Sequence, residues 1–294
     1  MPQNHKSGYV ALVGKPNAGK STLMNAILGQ KLSIVTHKAQ TTRHQVKGIR
    51  SEENAQIIFL DTPGIIRPKY HLQKAMMLFV ERARIDADVI LLTVGMDDPK
   101  LPAHLFQLLE DIHKPVVLVL NKTDLGQSSD VKEVLNRLVT RFDFADHIAV
   151  SATKNHHLDE LIATTTKYLP AGPPFYPKDQ LSDNPIRFFV SELIREEVFL
   201  LYHQEVPYST TVEVIEYQER ADIDHIYAEI IVNAESQKGI LIGKGGKAIK
   251  RLGSRARNKI QSFIDKKIYL DLHVKVRPKW RDDENMVRNF GYSS

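Results

Sequence analysis

The sequence predicts two domains of different fold class: an α/β domain with a mostly parallel sheet and helices on both faces, then an α+β domain. Three observations predict this division. The first half of the chain alternates short apolar runs with amphipathic stretches, the rhythm of βαβ units. A proline-rich segment then interrupts the chain near residue 170, and the order of predicted elements changes after it. At 294 residues the chain is long enough for each domain to bury its own core.

The apolar runs of the first half are the predicted strands of the α/β domain. They are too continuous for strands with one face in water, so we expect helices to cover both faces of the sheet. Predicted helices at 74–85 and 131–142 repeat their apolar residues at helical spacing. The predicted strands are residues 9–13, 57–60, 89–94, 116–120 and 148–150.

The predicted domain boundary is a segment with four prolines and one glycine at 169–177. Such a composition cannot continue a helix and favours an extended connector. We therefore predict a first domain over 1–170, a linker over 171–184, and a second domain with a C-terminal tail over 185–294.

After the linker, the chain has the order of an α+β domain. A first helix is followed by two strands, two helices and a last strand, so this part does not continue the first sheet. The predicted bounds are about 186–203 for the first helix and 211–217, 226–233 and 268–276 for the strands.

Composition limits the classes of protein to which the chain can belong. Its apolar fraction of 42% and charged fraction of 26% are typical of a soluble folded protein. The absence of cysteine excludes disulfides, thiolate metal sites and cysteine nucleophiles. No apolar run approaches the roughly 18–20 residues of a membrane-spanning helix, and the N-terminus has no apolar core of a secretory signal. These features predict a cytoplasmic protein.

The net charge of +5 is distributed unevenly. Residues 238–281 hold fourteen Lys or Arg against two acidic residues, a net charge of +12. Residues 185–237 hold three Lys or Arg against eleven acidic residues, a net charge of −8. A basic block of this density suggests a polyanionic partner, although charge alone leaves open a solvated helix face.

Two glycines five residues apart, followed by Lys20 and Ser21, stand between the first predicted strand and a predicted helix at 22–28. This is the pattern and the context of a phosphate-binding loop. Glycines let backbone N–H groups turn toward phosphates at a helix N-terminus, Lys20 would neutralise the β and γ phosphates, and Ser21 would give its hydroxyl to Mg²⁺. The loop alone does not distinguish ATP from GTP. The expected phosphate contacts are Gly14, Asn17, Ala18, Gly19, Lys20, Ser21 and Thr22.

Three more motifs, each at the end of a predicted strand, favour GTP. Asp124, in Asn-Lys-Thr-Asp at 121–124, can accept hydrogen bonds from N1–H and the exocyclic amine of guanine, a donor pair that adenine lacks. Ser151-Ala152 matches a short loop whose backbone N–H meets guanine O6. In Asp-Thr-Pro-Gly at 61–64, Asp61 could hold Mg²⁺ through water and the Gly64 N–H could reach the γ-phosphate. The expected guanine contacts are Asn121, Lys122, Asp124, Ser151 and Ala152.

Residues 38–43, Lys-Ala-Gln-Thr-Thr-Arg, are a candidate switch. A threonine hydroxyl here could complete the Mg²⁺ shell only while the γ-phosphate is present, so the segment would change between order and disorder. The alternative is a polar loop with an ordinary Thr-Thr pair, and the sequence does not decide which threonine is the ligand. The expected switch residues are Thr41, Thr42, Asp61, Thr62, Pro63 and Gly64, and the expected Mg²⁺ set is Ser21, Thr42 and Asp61.

A water-orienting glutamine, which Ras-like hydrolases place after the Asp-x-x-Gly glycine, is missing. Ile65 and Ile66 stand there instead, and neither side chain can hold a water. The sequence therefore predicts slow intrinsic hydrolysis or help from another group. Our hypothesis is that the Asn17 side-chain oxygen binds a potassium ion that bridges the phosphates.

The basic block contains a Gly-x-x-Gly turn at 243–246, preceded by aliphatic residues and followed by a predicted helix at 247–265. Glycines at both ends of a tight turn let a nucleic-acid backbone pass close to the main chain, and the helix N-terminus and lysines add positive potential. This is the clamp of a KH domain, which grips single-stranded RNA. The expected RNA contacts are Ile242, Gly243, Lys244, Gly245, Gly246, Lys247, Lys250 and Arg251.

The motifs at 14–21, 61–64 and 121–124, with no glutamine after the second and a Gly-x-x-Gly clamp near the C-terminus, resemble the Era family of bacterial GTPases over roughly residues 8–285. The resemblance implies a P-loop GTPase domain followed by a type II KH domain, with GTP or GDP and Mg²⁺ bound. It also implies a monomer that binds the 3′ end of 16S ribosomal RNA and acts in assembly of the small (30S) ribosomal subunit, with a coupling to growth or the cell cycle. Peripheral association with the cytoplasmic face of the inner membrane is a further implication.

The mechanism we predict is a GTP-dependent switch in which GTP and Mg²⁺ order the Thr41–Thr42 segment and the Asp61–Gly64 loop and favour the RNA-competent state. Two alternatives remain open. A constitutive RNA-binding protein or RNA chaperone with a structural nucleotide site would show negligible turnover. A GTPase for membrane or cell-cycle signalling would not need Gly243 and Gly246.

Overall fold

A computed structural model of the chain describes residues 5–102, 105–106, 108–109 and 112–292. The chain divides into two compact units. Of the described residues, one unit holds those up to Arg67 and those between Met76 and Asp183, and the other holds Pro68–Ala75 and those from Asn184 to Tyr292. Within the described ranges, no helix combines the length and the apolar composition needed to cross a bilayer.

The first unit is built on a six-stranded sheet of order β2-β3-β1-β4-β5-β6. Strand β2 runs antiparallel to β3, and every other pair of neighbours is parallel. The strands are β1 (Lys6–Val13), β2 (Val46–Ser51), β3 (Ala55–Asp61), β4 (Val89–Gly95), β5 (Val116–Asn121) and β6 (Asp146–Ala149). The helices are α1 (Lys20–Leu28), α2 (His71–Asp86, most of which belongs to this unit), α3 (Ser128–Val139) and α4 (Leu158–Lys167).

All residues of β3, β4 and β5 are buried, so neither face of the central sheet is open to water. This confirms the α/β prediction and its mostly parallel sheet. The parallel arrangement brings the carboxyl ends of β1, β3, β4 and β5 to one edge of the sheet, where loops gather in folds of this kind. The sequence prediction missed the edge strand β2, whose partly polar pattern does not give the continuous apolar run of a central strand.

Residues 175–183, here called the strap, belong to the first unit and lie along β2 and β3. The side chain of Gln56 is fully buried, and its amide both accepts hydrogen bonds from and donates one to the backbone of the strap. Its Oε1 accepts hydrogen bonds from the N–H groups of Phe175 (2.7 Å) and Tyr176 (2.9 Å), and its Nε2 donates to the Tyr176 carbonyl (2.8 Å). The segment predicted as a linker thus has its backbone groups bound along the sheet.

The strap also closes the outer edge of β2. The Ile49 N–H donates to the Leu181 carbonyl at 2.8 Å, and the Ser182 hydroxyl donates to the Lys47 carbonyl at 2.6 Å. Lys47 also forms an ion pair with Asp183 at 2.6 Å.

The second unit has the helix, strand, strand, helix, helix, strand order that the sequence predicts. Its sheet has the order β7-β8-β9, in which β7 and β8 are antiparallel and β8 and β9 are parallel. The elements are α5 (Ile186–Leu201), β7 (Thr211–Gln218), β8 (Asp224–Val232), α6 (Glu235–Ile242), α7 (Lys247–Ile264), β9 (Ile268–Val276) and α8 (Glu284–Asn289).

The helix α7 is strongly amphipathic. Leu252, Ala256 and Ile260 recur every four residues on one face and are fully buried in the core of the second unit. The rest of the helix is mainly basic, and two of its cations pair with acidic residues of α5. Lys259 lies 2.6 Å from Glu196, and Arg255 lies 2.5 Å from Glu197.

Candidate nucleotide site and nucleic-acid interface

The loop between β1 and α1 has the backbone conformation that its glycines allow. Gly19 has a φ of 91°, and the buried Lys20 begins α1 directly after it. The Lys20 ammonium donates to the carbonyls of Lys15 (3.0 Å) and Gly14 (3.2 Å), so the side chain folds back over the loop. Burial lowers the pKa of Lys20 to about 8. An anionic ligand in this loop would stabilise its charged form.

Oxygens of three segments meet at one point beside this loop. The Ser21 hydroxyl donates to Asp61 Oδ2 at 2.6 Å, and its oxygen lies 2.8 Å from Thr42 Oγ1. Asp61 is fully buried, and its Oδ1 has no hydrogen-bond partner among the described residues. Burial raises the pKa of Asp61, against the opposing effects of the Ser21 hydrogen bond and the Lys20 charge. Hydroxyl and carboxylate oxygens with an unsatisfied buried lone pair are a donor set that fits Mg²⁺.

The structure brings Thr42, and not Thr41, next to Ser21 and Asp61. Thr41 turns into its own loop, where its hydroxyl lies 2.6 Å from Thr36 Oγ1 and donates to the Lys38 carbonyl at 2.7 Å. Thr36 in turn accepts a hydrogen bond from the Lys38 N–H. Thr36 was missed by the sequence prediction, because a threonine five residues before Thr41 has no distinctive spacing.

Asn17 connects the phosphate loop with this segment, since its side-chain amide donates to the His37 carbonyl at 3.1 Å. The Asp61–Gly64 loop is anchored to the same region. The Thr62 hydroxyl donates to the Leu12 carbonyl at 2.6 Å, and Pro63 is buried. A Cβ on Gly64 would lie 2.5 Å from the backbone nitrogen of Pro16, so only glycine fits this close approach.

The side opposite the phosphate loop is formed by the segments after β5 and β6. The Asn121 amide donates to the Ala18 carbonyl at 3.1 Å, and its oxygen accepts from the Ala152 N–H at 3.1 Å. Asn121 therefore joins three loops. The Asp124 carboxylate accepts a hydrogen bond from the Ser151 hydroxyl, and this bond lowers the pKa of Asp124.

One cavity of about 460 Å³ joins the phosphate side to the guanine side. This volume is in the range of small-ligand sites. The predicted residues that line it are Asn17, Gly19, Lys20, Ser21, Thr22, Thr41, Thr42, Gly64, Asn121, Lys122, Asp124 and Ala152. The predicted residues outside the lining are Gly14, Ala18, Asp61, Thr62, Pro63 and Ser151, all of which are buried. Asp97 also lines the cavity, and the sequence prediction did not include it.

In the second unit, the Gly-x-x-Gly turn joins α6 to α7. Gly243, Gly245 and Gly246 have φ values of 70°, 59° and 75°, in the left-handed region that favours glycine. A Cβ on Gly243 would lie 2.6 Å from the Ala248 Cβ, whereas open space surrounds Gly245 and Gly246.

The basic residues around the turn differ in their partners. No ion pair joins any of four exposed cations to an acidic residue within the described part of the chain: Lys244, Lys247, Lys250 and Arg251. Farther along α7, Arg255 and Lys259 are paired with Glu197 and Glu196. Ile242 is partly buried beside the turn. Among the residues described, these four cations thus leave positive charge without an ion-pair partner at the N-terminal end of α7, the end of a helix that attracts anions.

Comparisons with known proteins match a GTPase model to the part of the chain with the nucleotide site and a KH-domain model to the part with the Gly-x-x-Gly turn. Residues 9–122 match the family model described as 50S ribosome-binding GTPase, and residues 205–281 match that of the KH domain. The chloroplastic GTPase ERA1 of Zea mays is 46% identical over 297 residues, covering 98% of this chain and 71% of the relative. The chloroplastic ERA-like GTPase of Oryza sativa subsp. japonica is also 46% identical, with coverages of 98% and 70%.

Solved structures give the same result for the whole chain. An Era variant of Aquifex aeolicus bound to GDP and aluminium fluoride has a TM-score of 0.94 at 39% identity, covering 98% of this chain and 100% of that one. Era in complex with MgGDPNP and nucleotides 1506–1542 of 16S ribosomal RNA has a TM-score of 0.94 at 39% identity, with coverages of 99% and 100%. The chain therefore belongs to the Era family, GTPases in which a P-loop GTPase domain precedes a C-terminal KH domain.

Proposed function

We propose that this GTPase is a nucleotide-dependent switch that binds the 3′ end of 16S ribosomal RNA and acts in the assembly and maturation of the small ribosomal subunit. The observation that carries the proposal is the group of exposed cations without ion-pair partners around the Gly-x-x-Gly turn. The relative whose complex contains nucleotides 1506–1542 of 16S ribosomal RNA supports the identity of the RNA.

At the nucleotide site, Ser21, Thr42 and Asp61 would hold Mg²⁺, which when bound neutralises charge on the β and γ phosphates. Lys20 adds a second positive charge from within the loop, and Gly64, which also lines the cavity, would offer its N–H to the γ-phosphate. Asp124, with its pKa lowered by Ser151, stays ionised and accepts the two guanine donors.

The contact between Thr42 and Ser21 gives the switch a physical basis. Thr42 lies five residues after His37, whose carbonyl accepts a hydrogen bond from the Asn17 side chain of the phosphate loop at 3.1 Å. GTP with Mg²⁺ would hold this segment through Thr42, and loss of the γ-phosphate would release it. If GTP raises the affinity for RNA, RNA must raise the affinity for GTP by the same factor.

Intrinsic turnover is expected to be slow, because Ile65 is buried and Ile66 offers no polar group to a water. We propose that potassium assists at Asn17. The Asn17 side-chain nitrogen donates to the His37 carbonyl at 3.1 Å, so the side-chain oxygen of Asn17 is the atom that would bind the monovalent cation. Equal turnover in sodium and potassium buffers would remove potassium from the mechanism.

The test of the proposed function is a calorimetric titration of the full chain with an RNA of nucleotides 1506–1542, once with GDP and once with GDPNP. We expect tighter binding with GDPNP. Changing Gly246 to Asp should abolish RNA binding, because it places a carboxylate in the Gly-x-x-Gly turn, where an RNA phosphate would bind. The same change should leave GTP turnover measured without RNA at the wild-type rate. Equal RNA affinity in both nucleotide states would defeat the switch.

The cellular test is ultraviolet crosslinking of the GTP-loaded protein, followed by sequencing of the attached RNA. A peak at the 3′ end of small-subunit ribosomal RNA, lost in the Gly246→Asp variant, is the expected result. Scattered crosslinks would instead favour a signalling GTPase in which the KH domain contacts protein.

The monomeric state, a peripheral membrane association and a coupling to growth belong to the same proposal through the family resemblance. Light scattering of the purified protein and flotation with vesicles would test the first two.

A further inference from the structure

Asp97 lies in the loop after β4, outside every motif that the sequence analysis assigned to the nucleotide. The parallel sheet nevertheless places the end of β4 between the ends of β1 and β5, from which the phosphate loop and the guanine loop begin. Asp97 thereby lines the same cavity as Gly19 and Lys122.

The carboxylate of Asp97 binds the lysine of the guanine motif. Lys122 Nζ donates to Asp97 Oδ2 at 2.7 Å. The two side chains are about one quarter and one half exposed, so the pair lies at the rim of the cavity. No other hydrogen bond of the Lys122 ammonium is found in the described part of the chain.

The path of the Lys122 stem explains why this anchor matters. Its Cε lies 3.8 Å from the position that a Cβ on Gly19 would occupy, and its Cδ lies 3.6 Å from that of Gly95. The Lys122 stem thus passes beside both the phosphate loop and the end of β4. A Cβ on Gly95 would also collide with the Asp97 carboxylate.

Lys122 needs such an anchor because four rotatable bonds separate its ammonium from the backbone. Without a partner the ammonium samples many rotamers, and the entropy of fixing them is lost when a nucleotide binds. The Asp97 carboxylate, which binds the ammonium, restricts the side chain before the ligand arrives.

We infer that Asp97 is a positioning residue for guanine nucleotides, which acts by holding the Lys122 side chain across the phosphate loop. This inference rests on the proposed guanine site. It assigns to Asp97 a role in binding GTP and GDP equally, because its partner Lys122 belongs to the guanine motif and Asp97 makes no hydrogen bond to Asp61 or Thr42, where the γ-phosphate would be sensed.

The neighbouring Asp98 provides a matched control. Its carboxylate forms an ion pair with Lys15, a residue whose ammonium also donates to the Lys100 carbonyl at 3.2 Å, and it does not contact Lys122. Asp98 is also absent from the lining of the nucleotide cavity. Changing either acid to asparagine removes the same charge, so a difference between the two variants reports the contact with Lys122.

The experiment compares Asp97→Asn, Asp97→Glu and Asp98→Asn with the wild type in GTP hydrolysis and in calorimetric titrations with GDP and GDPNP. Asp97→Asn should raise KM and weaken both nucleotides by about two- to fivefold, the range of an exposed ion pair, with kcat unchanged. Asp97→Glu should restore most of the affinity, and Asp98→Asn should match the wild type. Unchanged affinities for Asp97→Asn, or an equal loss in Asp98→Asn, would overturn the inference.

A parallel measurement on Asp124→Asn separates this inference from the proposed guanine site. If Asp124→Asn loses GTP affinity while Asp97→Asn does not, the guanine site stands and the role of Asp97 is refuted. If Asp124→Asn binds GTP as well as the wild type, the guanine site itself is wrong.

Discussion

Replacing Lys247 by alanine should weaken RNA binding, whereas replacing Lys259 on the same helix should weaken the fold. Lys247 is exposed and has no ion pair in the described structure. Lys259 Nζ lies 2.6 Å from Glu196 Oε2 and 2.5 Å from Glu197 Oε1, and these two carboxylates are 1% and 0% exposed. One lysine is therefore available to phosphate, and the other already neutralises buried charge.

The size of the RNA effect follows from counterion release. Each phosphate of a single strand that a cation neutralises adds about −0.7 to the slope of log K against log salt. If all four cations around the turn, Lys244, Lys247, Lys250 and Arg251, contact phosphate, the slope is about −3. Lys247→Ala should then reduce it to about −2.

Lys259→Ala should leave the slope unchanged and lower the free energy of unfolding by about 3 kcal/mol. This is the low end for breaking a buried ion pair, because Lys259 itself is 29% exposed and Arg255 still binds Glu197. The assays are fluorescence anisotropy with the RNA of nucleotides 1506–1542 between about 50 and 200 mM salt, and urea denaturation. A reduced slope in Lys259→Ala, or an unchanged slope in Lys247→Ala, would refute the division of charge along α7.

Three further changes test the nucleotide site and the strap. Asp124→Asn should lower GTP affinity by about 10³-fold and favour xanthosine triphosphate, because the new amide can donate to the xanthine C2 carbonyl; competition binding with both nucleotides measures this. Thr42→Val should weaken GDPNP with Mg²⁺ by up to about tenfold and leave GDP affinity unchanged, since one candidate cation ligand is lost; calorimetry would contradict it if both nucleotides weakened equally. Gln56→Leu should lower the free energy of unfolding by about 1–3 kcal/mol, because the hydrogen bonds between the Gln56 side chain and the backbone of Phe175 and Tyr176 are lost. An unchanged urea midpoint would contradict this prediction.

The sequence predicted the fold well where the pattern was local and strong. Continuous apolar runs identified the central strands, and the four nucleotide motifs follow strands β1, β3, β5 and β6 as predicted. The same method failed at β2, since an edge strand bears polar residues and lacks the run that marks a central strand.

The sequence alone could not decide which of two neighbouring residues of the same type has the functional contact. Nothing in Thr-Thr distinguishes a cation ligand from a loop contact, and only the fold shows that Thr42 faces Ser21 while Thr41 faces Thr36. Asp97 was missed for a related reason. Its partner Lys122 is 25 residues away along the chain, and an Asp-Asp pair after a strand is not a motif.

The strap has a consequence for separating the two halves of the protein. A chain cut at residue 170, the boundary that proline content suggested, would leave the outer edge of β2 without its partners from Leu181 and Ser182 and the buried amide of Gln56 without Tyr176. Exposed strand edges pair with one another, so such a fragment should be prone to aggregate. A fragment that ends at Asp183 keeps the edge of β2 covered, and we expect it to remain monomeric in solution when expressed alone.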